Sequence, residues 1–131
     1  MTNEYITLGS SDLERSHAYY DAVMPVLGAT LEADYPGMTF CYKMPSGFRI
    51  WVSKPQNGEP PACGNGHTAG LYADSADTVD RAHRAALAYG GSDEGAPGPR
   101  PIYGPEFYGG YARDPDGNKM SFVTYVDTAS A

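Results

Sequence analysis

The chain has 131 residues, 41% apolar and 19% charged, with sixteen acidic residues against nine basic ones and a net charge of −7. This suits one globular domain with its own core, and the charge argues against nucleic acid and anionic membrane surfaces. No run approaches the ~20 apolar residues of a membrane helix.

Taken in chain order, Tyr5-Ile6-Thr7-Leu8 alternates with period 2 and predicts a strand. Ser11 with Glu14 three residues on reads as a capping box opening a helix. Leu13, Tyr20, Val23 and Leu27 recur at helical spacing, Pro25 makes the last turn irregular, and Gly28 ends it. A strand over 38–43 turns through Pro45-Ser46-Gly47 into a second over 48–52. Residues 57–66, rich in Gly and Pro, read as a linker.

The order then repeats. Thr68 to Tyr72 is a strand, and Asp74 or Ser75 caps a helix to about Tyr89, with Val79, Ala82, Ala86 and Leu87 on its core face. The stretch from Gly95 to Pro101 is expected to be irregular. Residues 108–113 and 118–125 form a hairpin around Asp114-Pro115-Asp116-Gly117, and the tail from Asp127 to Ala131 is expected to fray. A shift of 63 residues superposes the strand–helix openings, and a shift of 70 the later hairpins. The reading is a single α+β domain of two βαβββ modules, about 4–56 and 67–126, joined by the linker. Its core is expected from Ile6, Leu8, Ile50 and Val52 with the first helix, and from Leu71, Met120 and Phe122 with the second.

Strand alternation also predicts a cavity wall. With Ile6, Leu8, Ile50 and Val52 under the helix, Tyr5, Thr7, Arg49 and Trp51 face the other way. In the second half Thr68, Gly70, Tyr72, Lys119, Ser121 and Val123 do so. Tyr103 and Tyr108 belong to a segment, 97–107 and just beyond, expected to act as a lid. Tyrosine is abundant, eleven against four phenylalanines and one tryptophan, and suits the wall of a wet pocket. There is no Gly-x-Ser-x-Gly elbow, no phosphate loop and no paired histidine motif. The acidic pairs Asp114/Asp116 and Asp74/Asp77 read as turn and cap residues, and His17 and His83 as surface or helix-packing residues.

The opening from Tyr5 to Ser16 with Tyr19-Tyr20-Asp21, and the segment Tyr111-Ala112-Arg113-Asp114-Pro115-Asp116-Gly117-Asn118, resemble the vicinal oxygen chelate superfamily. That superfamily includes glyoxalase I, bleomycin-resistance proteins and extradiol dioxygenases. The resemblance implies sheets curled around a cavity, and a divalent metal in those members that do chemistry. Carried over, the ligand positions fall near Tyr5, Trp51, Thr68 and Ser121, none of them a usual metal ligand. His67, one residue before Thr68, is the weak candidate, since alternation turns it from the cavity. The expectation is therefore small-molecule binding between aromatic and hydroxyl walls, with no cofactor, and the acidic total favours a cationic ligand. The alternative is a divalent-metal lyase of the lactoylglutathione lyase kind, or a dioxygenase. No basic N-terminal stretch precedes an apolar run, and Cys41 and Cys63 form no CxxC pair, so a reduced, cytoplasmic chain is expected. Open sheet edges point to a homodimer.

Overall fold

The computed structural model describes residues 1–127 and contains two four-stranded mixed sheets and two α-helices. The first module is β1 (Tyr5–Gly9), α1 (Leu13–Val23), a 3₁₀ turn (Met24–Leu27), β2 (Thr30–Tyr35), β3 (Thr39–Lys43) and β4 (Arg49–Ser53). The second is β5 (Ala69–Tyr72), α2 (Ala76–Ala88), β6 (Ser92–Pro99), a 3₁₀ turn (Pro101–Tyr103), β7 (Phe107–Arg113) and β8 (Lys119–Tyr125). Strand orders are β1-β4-β3-β2 and β5-β8-β7-β6, with the first pair of each parallel. Residues 128–131, and with them most of the tail expected to fray, lie outside the described residues.

The internal repeat holds at the level of register. Ile6 pairs with Ile50 and Leu8 with Val52, as Ala69 pairs with Met120 and Leu71 with Phe122. Each of these residues points towards the helices. Tyr19, Tyr20, Val23, Phe40, Ile50, Val52, Val79, Met120 and Phe122 are almost fully buried, and Ile6 and Leu8 pack against that core half-buried. Burying one such side chain contributes roughly 1.5–3 kcal/mol. Residues of both modules enter one continuous core, so the halves are joined by packing and not only by the linker.

Polar contacts reinforce that join. Tyr20 donates to Asp114 Oδ2 at 2.6 Å, Tyr19 reaches Met120 Sδ at 3.2 Å, and Asn118 donates to the Gly9 carbonyl at 2.9 Å. Asp116 accepts from the Ser11 hydroxyl and amide and pairs with Arg15. The Asp-Pro-Asp-Gly turn is thus more than a turn: its two carboxylates fasten the first helix to the second sheet.

Three sequence expectations are corrected, and one strand is added. The cap of α1 is Asp12, which accepts from the Arg15 amide, because Asp116 occupies Ser11; Glu14 takes no part. Leu87 is 41% exposed, since Val79, Ala82, His83 and Ala86 already fill the core-facing stripe of α2. The Gly/Pro stretch expected to be irregular is largely strand β6. Its place at a sheet edge and two register shifts against β7 tolerate proline, and Gly110 leaves room for Pro97, which a Cβ there would meet at 3.1 Å. Strand β2, mostly exposed, carries no apolar alternation to reveal it. By contrast, the irregular turn at Pro25 and the left-handed Gly28 (φ 81°) are as read. No helix among the described residues is long and apolar enough to cross a membrane.

Candidate functional site

The face of each sheet turned from the helices carries the candidate site. On the first sheet, Thr7 pairs with Trp51 and Trp51 with Cys41, which puts these three on that face with Tyr5 and Ser53. All but the buried Cys41 border a cavity of about 770 Å³ whose walls include Tyr5, Thr7, Met38, Trp51, Lys54 and Gln56. On the second sheet, Gly70 pairs with Ser121 and Ser121 with Tyr111. A cavity of about 320 Å³ there is lined by Thr68, Tyr103, Phe107, Tyr111, Ser121 and Val123. A third cavity, about 640 Å³, lies between them against β1, the linker and the starts of β5 and β8. It shares Thr7 and Gly9 with the first and Thr68 with the second, so the three adjoin in one run.

Of the residues singled out from sequence, Tyr5, Thr7 and Trp51 line the first cavity, and Thr68, Tyr103 and Ser121 the second. Lys119 lies on the second open face with its ammonium 5.5 Å from the Tyr111 ring centre, and also borders the middle cavity. Arg49 is on the first open face but is held by Glu32 at 2.5 Å; its hydrogen bond draws the Glu32 carboxyl below its usual range. Tyr72 lines a separate cavity against Pro25, Met44 and Arg81. Tyr108 is not a wall residue. It pairs with Thr124 on the helix side of β7 and donates to Asp80 of α2 at 2.7 Å, so its hydroxyl is turned away from the open face. His67 borders the middle cavity. The expected lid reduces to the 3₁₀ turn that brings Tyr103 over Phe107.

Sequence reading missed Tyr111, Phe107, Met38 and Lys54. The signal for the first two was available, because period-2 alternation in β7 opposes Tyr108 to both. Met38 and Lys54 flank strands, where alternation gives no direction.

The tyrosines divide by face. Tyr19, Tyr20, Tyr42 and Tyr108 each donate to a named acceptor on the helix side, and burial raises Tyr19, Tyr20 and Tyr42 well above the ordinary phenol value. On the cavity side the hydroxyls of Tyr5, Tyr103, Tyr111, Thr7, Thr68 and Ser121 make no hydrogen bond among the described residues. Ser121 is only 6% exposed, yet its hydroxyl opens onto the cavity. Cys41 is fully buried on the first face, and burial pushes its thiol up to about 11, so it is neutral and no nucleophile.

The positions implied by the superfamily hold a phenol, an indole and two neutral hydroxyls, and an indole offers no lone pair. Among the described residues no three His, Cys, Asp or Glu side chains converge.

Residues 4–122 match the family model described as Glyoxalase/Bleomycin resistance protein/Dioxygenase superfamily. Among solved structures, the chain is similar to a glyoxalase/bleomycin resistance protein from Albidiferax ferrireducens T118. They share 35% identity over 92% of this chain and 95% of that one, with a TM-score of 0.81. A glyoxalase-related enzyme from Fulvimarina pelagi shares 22% over 94% of this chain and 87% of its own (TM-score 0.72). A lactoylglutathione lyase from Agrobacterium tumefaciens shares 21% over 93% and 92% (TM-score 0.65). The last two show likeness of fold alone. No curated protein matches the chain.

Proposed function

The chain belongs to the glyoxalase/bleomycin resistance protein/dioxygenase superfamily, and from that premise we propose that it binds a small molecule along the run of cavities, without a conventional metal centre. The observation that carries this reading is the set of cavity-side hydroxyls with no partner among the described residues, set among Trp51, Tyr111 and Phe107. A packed structural surface has no use for so many free donors beside aromatic rings, whereas a ligand is oriented by a few polar groups in an apolar wall. The metal-dependent lyase or dioxygenase reading lacks the carboxylate and imidazole donors it requires at the positions where the superfamily carries them.

Trp51 is the only tryptophan and lines the first cavity, so its fluorescence is a direct reporter. The test is a fluorescence and thermal-shift screen of aromatic acids, amides and amines, run beside elemental analysis of the dialysed protein. Binding of a member of any class, weakened about tenfold by Trp51→Ala, supports the reading. A stoichiometric metal that His67→Ala removes, or no binding from any class, overturns it.

A further inference from the structure

The basic residues of this acidic chain are not spread evenly. Of nine, Arg15, Arg81 and Arg84 lie on the helices. The other six, Lys43, Arg49, Lys54, Arg100, Arg113 and Lys119, gather on or beside the two open faces. Lys43 pairs in register with Arg49, and Arg113 with Lys119. Lys54 lines the first cavity, and Arg100 lies over Tyr111. The acidic groups bonded to this set are Glu32, which holds Arg49 and Lys43, and Glu94, which holds Arg113. Lys54, Arg100 and Lys119 make no ion pair among the described residues.

On the second face two of these cations, Arg100 and Lys119, lie over one ring. The Arg100 guanidinium lies 5.7 Å from the Tyr111 ring centre and the Lys119 ammonium 5.5 Å. Arg100 is fixed there by the Ala96 carbonyl at 2.6 Å and the Pro99 carbonyl at 3.2 Å. The neighbouring hydroxyls of Thr68, Tyr103, Tyr111 and Ser121 have no partner among the described residues. Each of these hydroxyls and cations can donate. No carboxylate is among the described residues lining this cavity, and the nearby Glu94 is bound to Arg113.

From this we infer that the second face recognises an organic anion: a carboxylate seated by Lys119, Arg100 and the hydroxyls, on an apolar body packed against Phe107 and Val123. The inference rests on the reading of the cavities as a small-molecule site, and names the class of ligand. It reverses the expectation of a cationic ligand drawn from the net charge. Carboxylate oxygens accept only; Arg100 and Lys119 can only donate, and the hydroxyls beside them can turn to donate as well.

The test is calorimetric titration of the full chain with three probes of one shape: phenylacetate, phenylacetamide and phenethylamine. Phenylacetate should bind tightest, and added salt should weaken it. Lys119→Met, which keeps the apolar stem, and Arg100→Gln should each weaken phenylacetate about tenfold and leave phenylacetamide unchanged. Arg84→Gln, on α2, should change neither. Phenylacetamide or phenethylamine binding as tightly as phenylacetate, in a protein that does bind, overturns the anion inference and spares the cavity. Failure of all three probes overturns this inference, while the Trp51 fluorescence screen decides the cavity reading separately. Melting temperatures of the variants within about 2 °C of the parent show that loss of binding is not loss of fold.

Discussion

Replacing Tyr20 by phenylalanine removes one oxygen and measures how firmly the two modules are joined. Tyr20 is fully buried on α1 and donates to Asp114 Oδ2 at 2.6 Å. Asp114, 3% exposed, also accepts from the side chain of Asn118 and from the amides of Asp116 and Asn118. Phenylalanine leaves this carboxylate one donor short in a dry site, and a hydrogen bond to a charged group contributes about 1.5–3 kcal/mol. At about 2 kcal/mol, and with an unfolding entropy of roughly 2.1 cal/mol/K per residue, the melting temperature should fall by about 7 °C. Burial, the dominant influence, holds the Asp114 carboxyl above its ordinary value of 3.8, while the Tyr20 hydrogen bond opposes the rise. A raised carboxylate favours the folded state most in acid, below its unfolded value, and that contribution is lost as pH rises through the folded value. Removing Tyr20 raises the folded value further, so the penalty should be full at neutral pH and shrink in mild acid. Thermal unfolding followed by circular dichroism reads both. A shift under about 1 °C at neutral pH, or a penalty that grows towards acid, would refute the reasoning.

Two further outcomes are expected. Asp12→Ala should cost about 1 kcal/mol in urea unfolding by removing the cap on the Arg15 amide; no change would return the cap to Ser11. Gly91→Ala should cost about 1–3 kcal/mol, since its Cβ would stand 2.6 Å from the Ala86 carbonyl and 2.7 Å from both the Arg113 carbonyl and the Tyr19 ring; a calorimetric scan matching the parent would show that α2 and β7 can part at no cost.

The legible parts of this chain were those where one physical signal dominates. Alternation in β1, β4 and β8 fixed which residues face the helices, because a one-residue slip would have buried Lys119 and exposed Met120. Gly28 and Pro25 announced the end of the first helix through their own backbone limits. What stayed hidden depended on partners distant in sequence. Asp12 caps α1 only because Asp116, more than a hundred residues away, takes Ser11. Strand β6 exists because Gly110 makes room for Pro97, a fact that no local propensity contains. Tyr108 was assigned to the cavity by its nearness to Tyr103 in the chain, yet parity in β7 sends it to Asp80.

The charge of the candidate site shows the same difference between a total and a place. A sum of −7 describes the field far from the molecule, but at physiological salt that field fades over about 8 Å. A ligand against Tyr111 lies within that distance of Arg100 and Lys119, so these two cations weigh more than the helix carboxylates on the other side of the sheet. Carboxylates such as Asp21, Asp80 and Asp114 are moreover engaged by tyrosine hydroxyls within the helix-side packing. The acidic residues therefore serve largely to hold the fold and its outer surface, and the sign of the ligand is decided by the few basic residues that they leave unpaired.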